Sequence, residues 1–213
     1  MRRGLTRPSF HSADHRGAAG DNGQVSNAYP LISERLVLRP LDEGDIDTVL
    51  AYRNDPAVAA LQDWELPVTR ERVARQVQQA WTDLAPGDSR NIGIERDGEL
   101  VGDIYVGLDE HNVTGEHGVA EIGFTLATEH HNKGYAGEAA AAIVADLVGR
   151  LGVHRIFAQL SPQNAASMRV LERLGMRREA LSPKSYWWRG QWDDNLVYAM
   201  SAEEWRERVE RTG

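Results

Sequence analysis

The stretch VAEIGFTLATEHHNKGYAGEAAAAIVADLVGRLG, residues 119–152, changes hydrophobic period partway along, and that change limits what the chain can fold into. Ile122, Phe124 and Leu126 alternate with Glu121, Gly123 and Thr125, the pattern of a strand. Ala136, Ala140, Ile143, Val144, Leu147 and Leu151 then recur at helical spacing, and Gly152 is placed to close the helix. Between the two, Gly134-Tyr135-Ala136-Gly137 follows directly on His130, His131, Asn132 and Lys133. A strand that enters a helix through small residues leaves the first helical amides unpaired. Those donors, at the positive end of the helix dipole, favour a phosphate or pyrophosphate. The same residues also suit a plain tight turn packed on a sheet. A nucleotide P-loop is excluded, because Lys133-Gly134-Tyr135 replaces Gly-Lys-Ser/Thr, and a dinucleotide fingerprint is excluded because its first glycine is missing.

From residue 29 onward the pattern is dense, with no internal repeat and no second linker, so 29–213 reads as one domain. Residues 1–28 lack a hydrophobic period and are rich in Gly, Ser, Ala and Asn, the composition of a flexible tail. RLVLRPL alternates as a strand. A short helix follows from Asp42, with Ile46, Val49 and Leu50 on one side. A second is capped by Thr69, with Val73, Val77 and Trp81 at helical spacing. NIGIER and LVGDIYVGL pair as a hairpin through Asp97-Gly98. Beyond the opening stretch come a strand, HRIFAQL, and a helix from Asn164 to Gly175. Two antiparallel strands turn around Gly190, and a last helix is capped by Ser201 with Glu204 at capping-box spacing. This order predicts a mixed α/β domain.

Composition closes off several classes. No run approaches the roughly 20 apolar residues of a membrane span, and no apolar run follows the N-terminal arginines, so neither a membrane role nor a secretory signal is expected. The absence of cysteine removes disulfides, thiolate metal sites and a cysteine nucleophile. The seven histidines lack zinc-site spacing, so no metal is expected, and a cytoplasmic location fits best. The formal net charge of −8 is the wrong sign for a nucleic-acid binder and the right one for attracting cations such as amines.

HNKGYA, residues 131–136, resembles the pyrophosphate loop of the GNAT superfamily, the acetyl-coenzyme A-dependent N-acetyltransferases, whose form is Arg/Gln-x-x-Gly-x-Gly/Ala. Gly134 and Ala136 match, while His131 stands where Arg or Gln is usual. NAASMRVLERLGM resembles a second family segment, with Asn164, Ser167 and Gly175 in step. ISERLVLRPLDEGDID and WRGQWDDNLVYAM resemble the opening and the closing hairpin of the RimJ/RimL-type branch, which acetylates protein N-termini and includes relatives acting on small amines.

The resemblance implies a single α/β domain whose mixed, mostly antiparallel central sheet is splayed in the middle and flanked by helices. It implies transfer of an acetyl group from acetyl-CoA to a primary amine in a ternary complex, without a metal. The pantetheine arm would pair with the backbone of Phe124, Thr125 and Leu126 like an added strand. The pyrophosphate would rest on His131, Asn132, Lys133, Gly134, Tyr135, Ala136 and Gly137, with Asn164 and Ser167 also on the cofactor. A strand N–H would polarise the acetyl carbonyl. An alkyl amine with a pKa of about 10 must lose a proton before it attacks. Glu121, opposite its hydrophobic neighbours, is the first candidate to accept that proton and is equally readable as an exposed or structurally paired glutamate; His117 is the second, and reads better as a loop residue. Ser167 stands where relatives place a tyrosine for the leaving thiolate, and is equally a first-turn helix residue behind an Asn164 cap. Trp64, Glu65, Tyr186 and Trp188 are the candidate acceptor contacts, with Trp187, Trp192, Asp63, Asp193 and Asp194 nearby. Aromatic faces among carboxylates suit a cationic amine, although alternate strand residues must pack inward. The acceptor is a protein N-terminus or a small amine, and homodimers are frequent among relatives. The rival reading is a non-catalytic acyl-CoA-binding or sensing module on the same fold, kept open by His131.

Overall fold

The computed structural model describes residues 28–62, 64–78, 84–109, 118–188 and 190–212. All but the last residue of the expected 1–28 tail, together with Asp63, Trp81 and His117, lies outside the described residues. β1 (Leu31–Ile32), β2 (Val37–Pro40), β3 (Ser89–Arg96), β4 (Glu99–Leu108), β5 (Val119–Leu126), β6 (Arg155–Leu160), β7 (Arg177–Trp188) and β8 (Gln191–Ser201) form one sheet. Its order is β1-β2-β3-β4-β5-β6-β8-β7. Asp97 and Gly98, both with positive φ, make the tight turn between β3 and β4.

Only β5 and β6 are parallel, because helix α4 (Tyr135–Gly149) carries the chain from the end of one to the start of the other. Their pairing is short: Val119↔Arg155, Ala120↔Ile156 and Glu121↔Phe157. Meanwhile β5 stays on β4 as far as Leu126↔Gly102, and β6 stays on β8 as far as Leu160↔Leu196. Beyond Glu121 the two strands part, and the sheet is splayed in its middle. The ladder also decides which backbone groups face the fork. The Ala127 N–H donates to the Val101 carbonyl, and the Val119 carbonyl accepts from Asp109, each at 3.0 Å. Odd-numbered residues of β5 therefore turn their backbone groups to β4, and Ile122, Phe124 and Leu126 turn theirs to the fork.

Helices cover both faces. α4, α5 (Ala165–Leu174) and α6 (Ala202–Thr212) share the larger core, in which Ala139, Ala140, Ile143, Val144 and Leu147 meet Ile104, Val106, Ile122 and Ile156. The alanines let α4 lie close on the diverging strands. It ends at Gly149: the Arg150 and Leu151 N–H groups both return to the Asp146 carbonyl, and left-handed Gly152 (φ 67°) turns the chain away just beyond. α1 (Ile46–Asn54) and α3 (Arg70–Val77), with short α2 (Pro56–Ala59) between them in the chain, bracket a second core of Leu41, Ile46, Val49, Tyr52, Val68 and Val73 on the other face, to which α1 and α3 contribute. Asp42 caps a short 3₁₀ turn, Glu43–Asp45, that runs into α1. A buried ion pair at 2.9 Å, Arg53 with Asp103, fixes α1 to β4, and the Tyr52 hydroxyl donates to the same carboxylate at 2.5 Å. Losing either charge would strand the other, a cost of about 3–5 kcal/mol.

The start of α4 is clamped to the segment ahead of β2. Glu138 accepts from the Ser33 hydroxyl, the Arg35 amide and Arg35 Nε, each at 2.7 Å. Burial pushes the Glu138 carboxyl up, but the Ser33 and Arg35 donors outweigh burial and hold it below the usual glutamate range. Since the folded value lies below the unfolded one, this stabilisation is complete above the unfolded value of about 4.3 and is lost as pH falls through the folded value. Glu138→Gln is therefore expected to flatten the acid fall in stability below about pH 4.3, measured as urea midpoint against pH. An acid limb identical to wild type would show that the clamp contributes nothing.

Candidate active site

The turn between β5 and α4 holds a run of unused donors. Six consecutive main-chain N–H groups, Asn132 to Gly137, have no acceptor among the described residues, and the first bond of α4 runs from Glu138 N–H to the Gly134 carbonyl at 3.1 Å. Asn132 (φ 60°) and Gly134 (φ 83°) are both left-handed, which curls the amides into a concavity of the kind that holds anions. At Gly137 an added Cβ would meet nothing within 4 Å, so the space above the helix start is open. The two histidines do not occupy it. His130 is buried beside the Tyr135 ring, with centroids 6.4 Å apart. His131 Nε2 donates to the Leu126 carbonyl at 3.0 Å and so ties the loop back to the end of β5.

Tyr135 turns its side chain inward and contributes only backbone to the loop. Its ring is 8% exposed, lies 5.1 Å from the Arg35 guanidinium and 5.6 Å from that of Arg96, and its hydroxyl accepts from Arg96 at 3.1 Å. Arg35 also donates to the Lys133 carbonyl at 3.1 Å. Arg35, its charge paired with Glu138, therefore braces the loop, and exposed Lys133 brings a cation from within it. Unpaired amides at a helix start, beside the Lys133 cation and open space, fit a diphosphate.

At the fork, β4 and β5 form a floor on the face covered by α1–α3. Asp103, Tyr105 and Gly107 stand opposite Thr125, Gly123 and Glu121. A Cβ at Gly107 would lie 2.6 Å from the Tyr105 hydroxyl, so glycine there makes room for that hydroxyl next to Glu121. Gly123 leaves the floor bare beside it. Glu121 Oε1 accepts from Gln159 Nε2 at 3.2 Å, and Gln159 Oε1 accepts from Asn195 Nδ2 at 2.8 Å. Of the three strand residues expected to meet a pantetheine arm, Phe124 and Leu126 present N–H groups to the fork. Thr125 does not: its carbonyl points at β4, 2.1 Å from where a Gly102 Cβ would stand. The Leu126 carbonyl is already held by His131.

Because β5 and β6 run parallel, they deliver the starts of α4 and α5 to the same edge of the sheet. Asn164, 7% exposed, caps α5 by accepting the Ser167 N–H at 3.0 Å, which places half-buried Ser167 in the first turn. In β8, Asp193, Asn195 and Val197 share the face of Gln159 and Glu121, and Tyr186 pairs with Asp193 on that face. Tyr186 and Trp188 stack there at 6.1 Å. Trp187 and Trp192 pair on the opposite face, edge to face at 5.4 Å. Trp64 is committed elsewhere: its indole N–H donates to the Arg53 carbonyl at 3.1 Å and its ring lies 5.5 Å from the Arg53 guanidinium. Glu65 is exposed in the same loop. Sequence reasoning missed Arg35, Arg96, Tyr105, Gln159 and Asn195; only the glycine two residues after Tyr105 hinted at one of them.

Among the described residues no group of three or more His, Cys, Asp or Glu could hold a metal ion, and no helix is long and apolar enough to cross a membrane. Comparison with known proteins agrees with this geometry. The acetyltransferase (GNAT) domain family matches residues 35–177. An uncharacterized N-acetyltransferase, YnaD of Bacillus subtilis, is 29% identical over 178 residues, covering 82% of this chain and 98% of its own. The crystal structure of a GNAT-family acetyltransferase from Bacillus anthracis is 32% identical with a TM-score of 0.66, over 81% of this chain and 98% of that one. Mycobacterium smegmatis RimJ in complex with CoA-disulfide shares the fold at 24% identity, TM-score 0.64, over 83% of this chain and 88% of that one. The chain belongs to the GNAT acetyltransferases and is an acetyl-CoA-dependent N-acetyltransferase.

Proposed function

We propose that this enzyme is of RimJ/RimL type and transfers the acetyl group of acetyl-CoA directly to a primary amine, within one ternary complex. The observation that carries the reading is the run of six unpaired amides, Asn132–Gly137, at the very edge where β5 and β6 part. Those amides bind the diphosphate, with Lys133 adding charge and Arg35, paired with Glu138, bracing the loop, and the Phe124 and Leu126 N–H groups receive the pantetheine arm along the fork. Asn164 and Ser167 flank it from the start of α5. Acetyl-CoA supplies an activated thioester carbonyl; everything else is done by the chain.

The acceptor enters over the face that carries Glu121, Tyr186, Trp188 and Asp193. Aromatic faces and a carboxylate hold it as a cation. Glu121 then takes its proton, directly or through water, and the freed lone pair forms the C–N bond as the C–S bond breaks. Ser167 Oγ donates a hydrogen bond to the departing thiolate. The acetyl oxygen is met in the transition state by an N–H of the open β5 edge, as an oxyanion donor. His131 does not argue for a silent binding module, because its imidazole closes the loop that Arg or Gln usually opens.

The acceptor class is tested by thiol release with alanyl peptides on one arm and spermidine, lysine and benzylamine on the other. Turnover on either arm is expected; binding of acetyl-CoA without turnover on any acceptor would defeat the proposal. Gly137→Glu is the cleaner probe of the loop, since Gly134 would be strained by any side chain while Gly137 faces open space. It is expected to weaken CoA binding by at least about tenfold in calorimetry with no loss of thermal stability, on the scale of a charge placed against a bound anion. Unchanged affinity would place the diphosphate elsewhere. Glu121→Gln is expected to lower kcat by roughly 10²–10⁴ at pH 7 and leave CoA affinity as it was. A wild-type rate would remove Glu121 as the base.

A further inference from the structure

We infer that Gln159 and Asn195 are positioning residues that hold Glu121 in its ionised, proton-accepting state. The inference rests on the proposed role of Glu121 and extends it to two side chains on other strands. Glu121 is the last residue of β5 with a partner on β6, and that partner is Phe157. Gln159 lies two residues further along β6, where the backbones have already separated. Its contact with Glu121 therefore bridges the fork by side chains at the point where main-chain pairing has stopped.

The polarity of the bridge matters more than its presence. A glutamine amide has a donating end and an accepting end. Asn195 Nδ2 donates to the oxygen of Gln159, so only the NH₂ end of Gln159 is left for Glu121. A donor facing a carboxylate favours the anion, whereas the same amide turned round would set its oxygen against the carboxylate and favour the acid. Asn195 thus favours the orientation in which Gln159 stabilises the anion. Asn195 sits two residues from Asp193 on β8, the strand that also carries the proposed acceptor face, so acceptor binding and base orientation share one element. Among the described residues, the titratable side chains at neighbouring positions on this face are Tyr105 and Asp109 on the β4 side and Asp193 on β8, and on β6 the neighbours are Phe157 and Gln159. A simple staple across the fork would tolerate loss of polarity as long as packing was kept. A positioning pair would not.

The test is a ¹³C NMR titration of the Glu121 side-chain carboxyl in the full chain, its resonance assigned by its disappearance in Glu121→Gln. Gln159→Leu, which keeps the bulk, is expected to raise the titration midpoint by about one pH unit. Asn195→Leu, which removes the donor to the Gln159 oxygen, is expected to raise it by less. With an alanyl peptide or spermidine as acceptor, the acid limb of the pH–rate profile moves by the same amount while acetyl-CoA KM holds. A midpoint unmoved in both variants would overturn the inference. Full turnover in Glu121→Gln would instead overturn the parent reading, whatever the titration shows, so the two failures are distinguishable.

Discussion

The separation of β5 from β6 after Glu121 is the constraint on which the rest of this molecule depends. A parallel pair that stops after three residues leaves strand-edge donors without partners, a cost that a continuous sheet would avoid. The sheet bears it because each strand keeps its other neighbour, β4 for β5 and β8 for β6, and because α4 packs across both from one side. In return the fork offers an extended ligand two unpaired amides and a path between the layers of helices. It also fixes the site's two other parts, since parallel strands carry the starts of α4 and α5 to one edge. Position, not residue identity, makes this the working end of the sheet.

The turn proposed to hold the diphosphate is fixed by the chain's own contacts. His131 fastens its first residues to Leu126, Arg35 holds Lys133 and Glu138, and Tyr135 anchors the first helical turn between the loop and the core. Little is left to order on binding, which is how a shallow surface turn can grip an anion. Glu138 would oppose that anion if left bare; its pairing with Arg35 makes the local charge neutral and leaves Lys133 in excess.

Much of this was legible in the sequence for local reasons. The period change at 126–136 predicts the strand, turn and helix, and Asn164, Thr69 and Ser201 all cap where spacing puts them. Alternation alone separates Tyr186 from Trp187. What could not be read are contacts across the chain. Arg35 lies about a hundred residues from the loop it braces, and Trp64 looks like a pocket aromatic until its N–H is found on Arg53. The turning of Thr125's backbone toward β4 follows from register, which no single strand contains. Gln159 and Asn195 have no motif at all; they form a chain to Glu121 only because β5, β6 and β8 lie side by side at the fork.

The central claim is that the amides of Asn132–Gly137 grip the diphosphate, and amide ¹H–¹⁵N spectra recorded during CoA addition test it most directly. Those six resonances are expected to show the largest downfield proton shifts in the protein, with Phe124 and Leu126 next, and to lose most of that change when pantetheine lacking the diphosphate is used. Saturating CoA that leaves the six unmoved while shifting amides elsewhere would contradict the account at its root.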